Sequence, residues 1–356
     1  MLHDELTIKI TPTTASRLDS VDWDKLPFGK VFSDHMLVMD YFNGEWQKPE
    51  IVPFGTLDLH PATSAIHYGQ SIFEGMKATK NEKGEVLIFR PDLNAKRFHE
   101  SCERMCMPTI SEATFIELIR KTVDVDRDWV PAKDGFALYI RPYMFATDDF
   151  IGIKPSDTYK FIIFTCPVGA YYTQPVNVKI EEYYTRAAQG GVGRAKTAGN
   201  YAASLYPAKL AKDEGFDQLL WTDAVEHKYI EESGTMNVLF EIDGVIVTPS
   251  EDSDTILRGV TKRSIVEIAK KWGIPVQERK LQVAELVEAL RQGQVTDAFG
   301  AGTAATLAQI AKIGYRDELF VLPDPKTRVT SLKIGAYLND LKAGKIEDEF
   351  GWLLRF

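Results

Sequence analysis

A lysine set among small residues is the feature of this sequence with the most chemical content. Residues 190–201 read Gly-Gly-Val-Gly-Arg-Ala-Lys-Thr-Ala-Gly-Asn-Tyr, and they place Lys196 just before a predicted helix. Most lysines are solvated surface charges, but Lys196 has no acidic neighbour in the sequence. Its small neighbours would let the lysine amine come close to another reacting group. Partial desolvation beside a helix N-terminus disfavours the ammonium form. A neutral amine can form a Schiff base with an aldehyde, so Lys196 is a candidate for covalent catalysis.

Three other segments could hold the rest of a phosphate-bearing aldehyde such as pyridoxal phosphate. Residues 257–261 run from a loop into a predicted helix, whose first N–H groups could bind phosphate or could simply start a helix. Residues 300–304 are predicted as a turn after a buried strand, either a backbone nest for an anion or a plain turn. Glu231 and Glu232 follow a predicted strand, and a buried carboxylate there could pair with a pyridine nitrogen, whereas two solvated acids are the alternative.

Composition excludes several other classes of protein. The 356 residues suffice for two ordinary domains, and 44% hydrophobic with 26% charged residues is typical of a soluble globular chain. A net charge of -9 argues against a nucleic-acid or anionic-membrane surface. No apolar run reaches the length of a membrane span, and we expect no secretory signal. The three cysteines, Cys102, Cys106 and Cys166, are expected to be free thiols in a reducing cytoplasm.

The first half of the chain predicts strands around one well-defined helix. The helix is predicted for 111–126, because Ser111 can cap it and apolar residues recur at helical spacing. Residues 168–175 mix Gly, Pro and paired tyrosines, which indicates an interdomain connection. Strands are predicted at 36–41, 86–89, 137–141 and 160–165.

The second half predicts helices alternating with hairpins. We expect Asn200 to cap a helix that runs to about Glu214 and ends at Gly215. Asp243-Gly244 between two apolar runs predicts a β-hairpin with a tight turn. Other elements are predicted as a strand at 218–221, a helix after Gly259 that ends at Gly273, a helix at 283–292 and a strand ending at Phe299. The hairpins favour a mixed α/β fold over a purely parallel, doubly wound sheet.

In the order of its motifs, the chain resembles the bacterial branched-chain amino acid aminotransferases, which belong to the class IV pyridoxal-phosphate enzymes. The resemblance runs from Phe28 almost to the C-terminus. The motifs that carry it are residues 28–36, 67–77, 89–97, 138–142, 167–171, 190–201, 232–237, 259–261 and 299–304. So many motifs in the family's order make an accidental similarity very improbable.

The resemblance implies pyridoxal 5'-phosphate as the cofactor and assigns a role to each matching residue. Lys196 matches the lysine that forms the imine with the cofactor and then moves a proton. Tyr201 matches the tyrosine on the pyridine hydroxyl, and Glu232 matches the carboxylate on the pyridine nitrogen. A carboxylate there keeps the nitrogen protonated, which makes the ring a strong electron sink. The remaining cofactor-binding positions are Arg97, Gly259, Val260, Thr261 and Thr303 around the phosphate, with Leu257 on the ring and Thr235 nearby.

The same resemblance implies a substrate pocket for L-leucine, L-isoleucine and L-valine, with 2-oxoglutarate and L-glutamate as the second pair. The branched side chains need apolar contact, whereas glutamate needs a partner for its far carboxylate. Arg141 at the pocket edge or tyrosine hydroxyls could supply that partner while the rings stay apolar. The pocket positions are Phe32, Tyr68, Phe73, Tyr139, Tyr171 and Arg141, with Thr235, Ala304 and Ala305 near the substrate carboxylate. No metal is implied.

The implied architecture is a mixed α/β fold, fold type IV, with two domains. A smaller N-terminal α/β domain is expected at 1–167, a connecting loop at 168–178 and a larger pseudo-barrel domain at 179–356. The resemblance also implies at least a homodimer, in which the N-terminal domain of one subunit closes part of the other's pocket, and the expected free thiols indicate a cytoplasmic location. Some animal members carry a Cys-x-x-Cys redox pair after the Gly-Thr-Ala turn, but Ala305 and Ala308 stand at those positions here.

Other functions fit parts of the pattern. Within the same fold, a D-amino acid aminotransferase or an aminodeoxychorismate lyase shares the lysine and the glutamate, but those enzymes are typically shorter and lack the segment 28–36. A cofactor-free Schiff-base lyase or aldolase would use Lys196 alone, and the candidate phosphate cradle argues against it. A binding module without catalysis would not need Lys196 and Glu232 together.

Overall fold

The computed structural model describes residues 7–169 and 174–356. The chain divides into two compact units. The first consists of Met1–Tyr171, Ala195–Ala198 and Asp340–Phe356, and the second of Tyr172–Arg194 and Gly199–Asn339. The division after Tyr171 lies inside the predicted connection of 168–178. The first unit also contains the lysine segment and the C-terminal tail, whereas the sequence predicts a single division of the chain.

A mostly antiparallel sheet forms the framework of the first unit, with ten strands in the part of the chain that the structure describes. The strands are β1 (Lys9–Ile10), β2 (His35–Phe42), β3 (Glu45–Trp46), β4 (Glu50–Pro53), β5 (Ser71–Phe73), β6 (Met76–Lys80), β7 (Val86–Phe89), β8 (Ala137–Ala146), β9 (Tyr159–Val168) and β20 (Leu353–Arg355). Their order is β1-β4-β2-β9-β8-β6-β7-β20, with β3 on β2 and β5 on β8. The helices are α1 (Ser64–Tyr68), α2 (Pro91–Arg104) and α3 (Glu112–Val125), and short 3-10 helices span Leu18–Ser20 and Arg127–Trp129.

Buried apolar strands and the helices α2 and α3 form the core of this unit. β8 and β9 pair in register over their whole length, from Ala137 opposite Val168 to Ala146 opposite Tyr159. α2 and α3 pack on β9 through three aromatic rings, with Phe98 at 4.8 Å from Phe115 and 5.5 Å from Phe161 between ring centroids. The predicted cap of α3 is confirmed, because Thr114 N–H donates to the Ser111 hydroxyl at 3.1 Å.

The second unit contains another sheet, again with ten strands among the described residues. The strands are β10 (Val176–Ile180), β11 (Gln218–Thr222), β12 (Tyr229–Ser233), β13 (Asn237–Ile242), β14 (Val245–Thr248), β15 (Val276–Glu278), β16 (Leu281–Gln282), β17 (Val295–Gly302), β18 (Thr306–Tyr315) and β19 (Glu318–Val321). Their order is β15-β14-β13-β17-β18-β10-β11-β12-β16, with β19 on β18. The remaining helices are α4 (Ala198–Asp213), α5 (Val260–Lys271), α6 (Val283–Arg291) and α7 (Thr330–Lys342), and a 3-10 helix spans Pro325–Thr327.

Several local predictions for this unit are confirmed. The hairpin β13–β14 turns at Asp243 and Gly244, whose φ angles of 49° and 77° suit the tight turn that joins two twisted strands. α4 ends just before Gly215, which has a φ of 88°. α5 begins directly after Gly259, and α6 begins at Val283 as predicted. None of the helices that the structure describes is both long and apolar enough to cross a lipid bilayer.

Two local predictions are wrong. Asn200 does not cap α4 but lies inside it, and its side-chain amide donates to the Val192 carbonyl at 2.9 Å. The segment 300–304 is not a turn throughout, because β17 continues to Gly302 and pairs with β18 there. Its glycines serve close packing instead, since a Cβ at Gly300 would lie 2.6 Å from the Met236 methyl carbon.

Candidate active site

Lys196 is held by backbone contacts within the first unit. Its N–H donates to the Ser101 hydroxyl of α2 at 3.0 Å, and its carbonyl accepts from Phe73 N–H of β5 at 3.0 Å. The next residue, Thr197, donates through its hydroxyl to the Ser71 carbonyl at 2.7 Å. The Lys196 amine lies 4.8 Å from the centroid of the Phe73 ring. The lysine is therefore fixed at both backbone ends, with its amine over an aromatic face.

Arg97 projects from α2 into a buried ion pair with Glu74. Its Nε donates to Glu74 Oε1 at 2.7 Å and its Nη2 donates to Oε2 at 2.9 Å. Burial alone raises the pKa of Glu74, but the Arg97 charge and hydrogen bonds, helped by the Lys196 charge, hold that pKa below its usual value. Glu74 is thus an anion at neutral pH, and it sits directly after Phe73.

Phe73 also connects Lys196 with the predicted substrate residues Tyr139 and Arg141. The Arg141 guanidinium carbon lies 4.5 Å from the Phe73 ring centroid, and Arg141 Nη2 donates to the Tyr139 hydroxyl at 3.0 Å. Tyr139 needs a glycine beside it, because a Cβ at Gly75 would lie 2.2 Å from the Tyr139 hydroxyl oxygen. The first unit therefore brings together Lys196, Phe73, Tyr139 and Arg141, as an aromatic surface with one guanidinium on it.

Two further predicted pocket residues, Phe32 and Tyr68, lie in the described part of this unit. Phe32 packs on Phe54 and Phe164, at 4.8 Å and 5.5 Å between ring centroids, and on the small cluster that contains Tyr139. Tyr68 ends α1 and is 44% exposed. Tyr171 lies outside the described residues.

Glu232 is the best-connected candidate of the second unit. It lies within β12, not after it, and its side chain is buried. Glu232 Oε1 accepts from Leu257 N–H at 2.7 Å and from the Asn237 side-chain amide at 3.3 Å. Asn237 also donates to the Leu257 carbonyl at 3.0 Å, which ties this loop to the carboxylate. Arg186 Nε lies 3.3 Å from Glu232 Oε2.

A second carboxylate, Glu231, is buried beside the first. Its Oε1 accepts from the Thr255 hydroxyl at 2.5 Å, and its Oε2 has no hydrogen-bond partner among the described residues. Burial raises the pKa of Glu231 and the Glu232 charge adds to this, while Thr255 and Arg186 oppose it. Two buried acids with Arg186 as their cationic partner can accommodate a further positive charge. A protonated pyridine nitrogen fits that electrostatic setting.

The predicted phosphate segment leads into α5 as expected. Gly259 is the residue before the helix, and a Cβ there would lie only 1.7 Å from Asn237 Oδ1. Glycine at this position therefore lets the loop pass close to the partner of Glu232. Val260 and Thr261 are buried in the first turn, where N–H groups have no partner within the helix. Such N–H groups suit a phosphate.

The remaining predicted residues of the second unit lie on a helix and in two turns. Tyr201 lies in α4 and is half-buried. Thr235 lies in the turn between β12 and β13 and is exposed. Thr303, Ala304 and Ala305 form the turn between β17 and β18 and are half-buried.

Sequence reasoning missed three residues that support these groups: Glu74, Arg186 and Asn237. Glu74 and Asn237 lie inside the quoted motifs 67–77 and 232–237, so a buried acid or amide next to an assigned residue was the available signal. Arg186 lies ten positions before Lys196 and carries no sequence signal of its own. Each unit by itself carries groups that fit part of pyridoxal phosphate: an amine and an arginine in the first unit, and a buried acid pair and helix N–H groups in the second.

Comparison with known proteins agrees with this chemistry. The family model described as amino-transferase class IV matches residues 71–313. "Branched-chain-amino-acid aminotransferase 2" of Bacillus subtilis is 42% identical over 99% of this chain and 97% of that protein. "Branched-chain-amino-acid transaminase 1" of the same organism is 44% identical over 93% of this chain and 94% of its own length. The branched-chain amino acid aminotransferase of Escherichia coli has a similar fold, with a TM-score of 0.73, 27% identity, and coverage of 88% of this chain and 98% of that one.

Proposed function

The chain belongs to the class IV amino-transferase family, and we propose that it catalyses reversible transamination between branched-chain L-amino acids and 2-oxoglutarate with pyridoxal 5'-phosphate as cofactor. The products are branched-chain 2-oxo acids and L-glutamate. One observation carries this proposal: 42% identity over 99% of the chain to a protein named for that activity. The placement of Lys196 and Glu232 supports it independently, because each is held in the environment that its role requires.

Lys196 supplies the side-chain amine that would bind the cofactor, whereas the amino group that is transferred comes from the donor amino acid. When bound, the cofactor supplies an aldehyde and an electron-withdrawing ring. Because its backbone is fixed on both sides, only the side chain of Lys196 would need to move to reach the aldehyde of a bound cofactor or to carry a proton. The Phe73 ring lies 4.8 Å from the Lys196 amine and offers it an aromatic face.

Glu232 holds the proton on the pyridine nitrogen. Leu257 N–H and the Asn237 amide keep its carboxylate in place, and Arg186 favours its ionised form. An ionised, buried carboxylate is the partner that favours a protonated pyridine. Tyr201 is proposed for the ring hydroxyl, and Leu257 for packing against the ring.

The phosphate is assigned to an arginine and to backbone and hydroxyl donors. Arg97 offers the positive charge of a guanidinium whose Nε–Nη2 edge is held by Glu74, and the first turn of α5 offers backbone N–H groups at Val260 and Thr261. Thr303 adds a hydroxyl from the β17–β18 turn. Gly259 and Thr235 complete the cofactor-binding set.

The substrate side chain is assigned to the aromatic surface around Phe73. Phe32, Phe73 and Tyr139 offer apolar faces to a branched side chain, and Tyr68 and Tyr171 are proposed as further walls. Arg141 on the Phe73 ring is proposed to bind the far carboxylate of glutamate. The substrate's own carboxylate is assigned to Thr235, Ala304 and Ala305.

We also propose that the protein is a cytoplasmic homodimer. Ile66, Ile151 and Ile153 are strongly exposed, the last at 94%, and cover by a second copy would remove these apolar side chains from water. Light scattering on the purified protein tests the dimer directly. A monomer at micromolar concentration would contradict it.

An amino-donor screen tests the proposed activity. With 2-oxoglutarate as acceptor, L-leucine, L-isoleucine and L-valine should each give glutamate, and D-alanine should not. The same preparation of Lys196→Ala corrects for transaminases of the expression host. Activity with D-alanine alone would indicate a D-amino acid aminotransferase, and cleavage of aminodeoxychorismate without amino transfer would indicate a lyase. Either result would overturn the proposal.

A further inference from the structure

Glu74 is a buried ionised group that has no role in the reaction described so far. Its side chain has an exposed fraction of 0%, and it lies between Phe73 and Gly75 at the end of β5. A carboxylate that is withdrawn from water is costly unless charged partners and hydrogen bonds replace the solvent. The partners that do so therefore indicate what Glu74 is for.

Both carboxylate oxygens of Glu74 are used by groups on α2. Oε1 accepts from Arg97 Nε at 2.7 Å, and Oε2 accepts from Arg97 Nη2 at 2.9 Å and from Asn94 Nδ2 at 2.7 Å. The Glu74 backbone is fixed as well, because its N–H donates to the Pro142 carbonyl at 2.7 Å. Glu74 is thus a rigid acceptor that holds one edge of the Arg97 guanidinium.

A guanidinium is planar, with five N–H groups in a fixed fork. A bidentate pair on Nε and Nη2 therefore fixes the directions of the other N–H groups as well. The same stretch of α2 is tied to the lysine, since the Ser101 hydroxyl donates to the Arg97 carbonyl at 2.9 Å and accepts from Lys196 N–H. Glu74 sets the orientation of Arg97 relative to the backbone that carries Lys196.

We propose that Glu74 is a positioning residue that orients the Arg97 guanidinium toward the phosphate of the cofactor. This inference rests on the proposed function, in which Arg97 binds that phosphate. It assigns to Glu74 a contribution to affinity that depends on the phosphate group of the ligand. A purely structural role for Glu74 would affect every ligand of the site equally.

The comparison of two ligands tests the proposal. Pyridoxal 5'-phosphate and pyridoxal differ only in the phosphate, and the binding of both to the cofactor-free protein can be followed by absorbance. Glu74→Gln should weaken pyridoxal phosphate about tenfold or more, as expected for one charge-assisted hydrogen bond. Its affinity for pyridoxal should stay within about twofold. Equal losses for both ligands, or no loss for either, would overturn the proposal.

A double-mutant cycle shows whether Glu74 acts through Arg97. Arg97→Lys keeps the positive charge but loses the planar fork. In the Arg97→Lys background, Glu74→Gln should lower the affinity for pyridoxal phosphate by less than about twofold. A loss as large as in the protein with Arg97 would contradict an action through Arg97. If Glu74→Gln does not fold, Asn94→Ala removes one donor to Glu74 Oε2 and leaves Arg97 intact. That variant should show a smaller loss, again selective for the phosphate.

The failure of the proposed function would look different from the failure of this inference. If the unmodified protein bound neither ligand, the cofactor assignment would be wrong and Glu74 would have no phosphate to serve. If the unmodified protein bound pyridoxal phosphate tightly and Glu74→Gln did so equally well, only the role of Glu74 would be refuted.

Discussion

Replacing Glu232 by glutamine should slow transamination far more than it weakens cofactor binding. The glutamine oxygen can keep the hydrogen bonds from Leu257 N–H, at 2.7 Å, and from Asn237, at 3.3 Å. It cannot keep the negative charge that faces Arg186 and that holds a proton on the pyridine nitrogen. Glu231 stays beside Arg186 as a second carboxylate, so we expect the variant to fold.

The size of the effect follows from the charge-assisted hydrogen bond to the pyridine nitrogen that the neutral glutamine cannot make. A hydrogen bond to a charged group contributes about 1.5–3 kcal/mol. If that contribution is made mainly while negative charge develops on the ring, kcat falls roughly 10- to 150-fold. Cofactor occupancy should fall much less, because the phosphate and Lys196 contacts remain. The assay is kcat with L-leucine and 2-oxoglutarate, divided by the occupancy measured after alkaline release of the cofactor.

Glu231→Gln is the matched control for this prediction. It is the same substitution on the same strand, at a carboxylate with similar burial, but one that accepts from Thr255 and not from Leu257. Its occupancy-corrected kcat should stay within about threefold of the unmodified protein. A normal kcat for Glu232→Gln together with a large loss for Glu231→Gln would show that Glu231 is the partner of the pyridine nitrogen.

The remaining predictions concern the amine, the thiols and the N-terminal segment. Lys196→Ala should lose turnover by several orders of magnitude and bind the cofactor weakly, because covalent and proton-transfer functions go together; near-normal steady-state rates would refute this. Mild peroxide should leave turnover largely intact, because burial raises the pKa of Cys102 to about 12 and of Cys166 to about 11. Cys106 is exposed, but it is not one of the proposed site residues, so its oxidation should not stop turnover. Rapid inactivation that dithiothreitol reverses would contradict this prediction. Asp34→Asn should lower the free energy of unfolding by about 1–3 kcal/mol at pH 7, since the Asp34 carboxylate accepts from Ser16, Arg17 and Trp129. Burial raises the pKa of Asp34, but these hydrogen bonds outweigh it and lower the pKa below its usual value. The stabilisation is therefore complete above the pKa of the unfolded chain and is lost as the pH falls through the folded pKa. Urea titrations at decreasing pH should show the free energies of unfolding of the two proteins becoming equal in acid.

Short-range features of the fold could be predicted from the sequence because nearby residues determine them. The Ser111 cap and the Asp243-Gly244 turn depend on groups only a few positions apart, and both are confirmed. The turn predicted at Gly300 is wrong because the real constraint on this glycine is Met236, which lies between β12 and β13, more than sixty positions away in the sequence. Likewise β20 pairs with β7, from Leu353 opposite Phe89, and no local pattern indicates so distant a partner.

In the candidate site, too, the sequence predicts individual residues but not the contacts between residues that are distant in the sequence. Motif resemblance predicts the roles of Lys196, Arg97 and Glu232, because residue type and motif order carry that information. The groups that hold them become visible only in the structure. Glu74 accepts from Arg97, which is 23 positions away in the sequence, and Arg186 approaches Glu232 from the connection between β10 and α4. The role of such a supporting residue depends on which groups it contacts in the folded chain, and the sequence alone gives only its residue type.

The measurement that tests the central claim most directly is chemical trapping of the cofactor on its lysine. The purified protein is treated with borohydride, which reduces an imine to a stable amine, then digested and analysed by mass spectrometry. We predict one phosphopyridoxyl group per chain, on the peptide that contains Lys196, and none after treatment of Lys196→Ala. A phosphopyridoxyl group on a different lysine, or a protein that carries none after incubation with pyridoxal phosphate, would contradict the account.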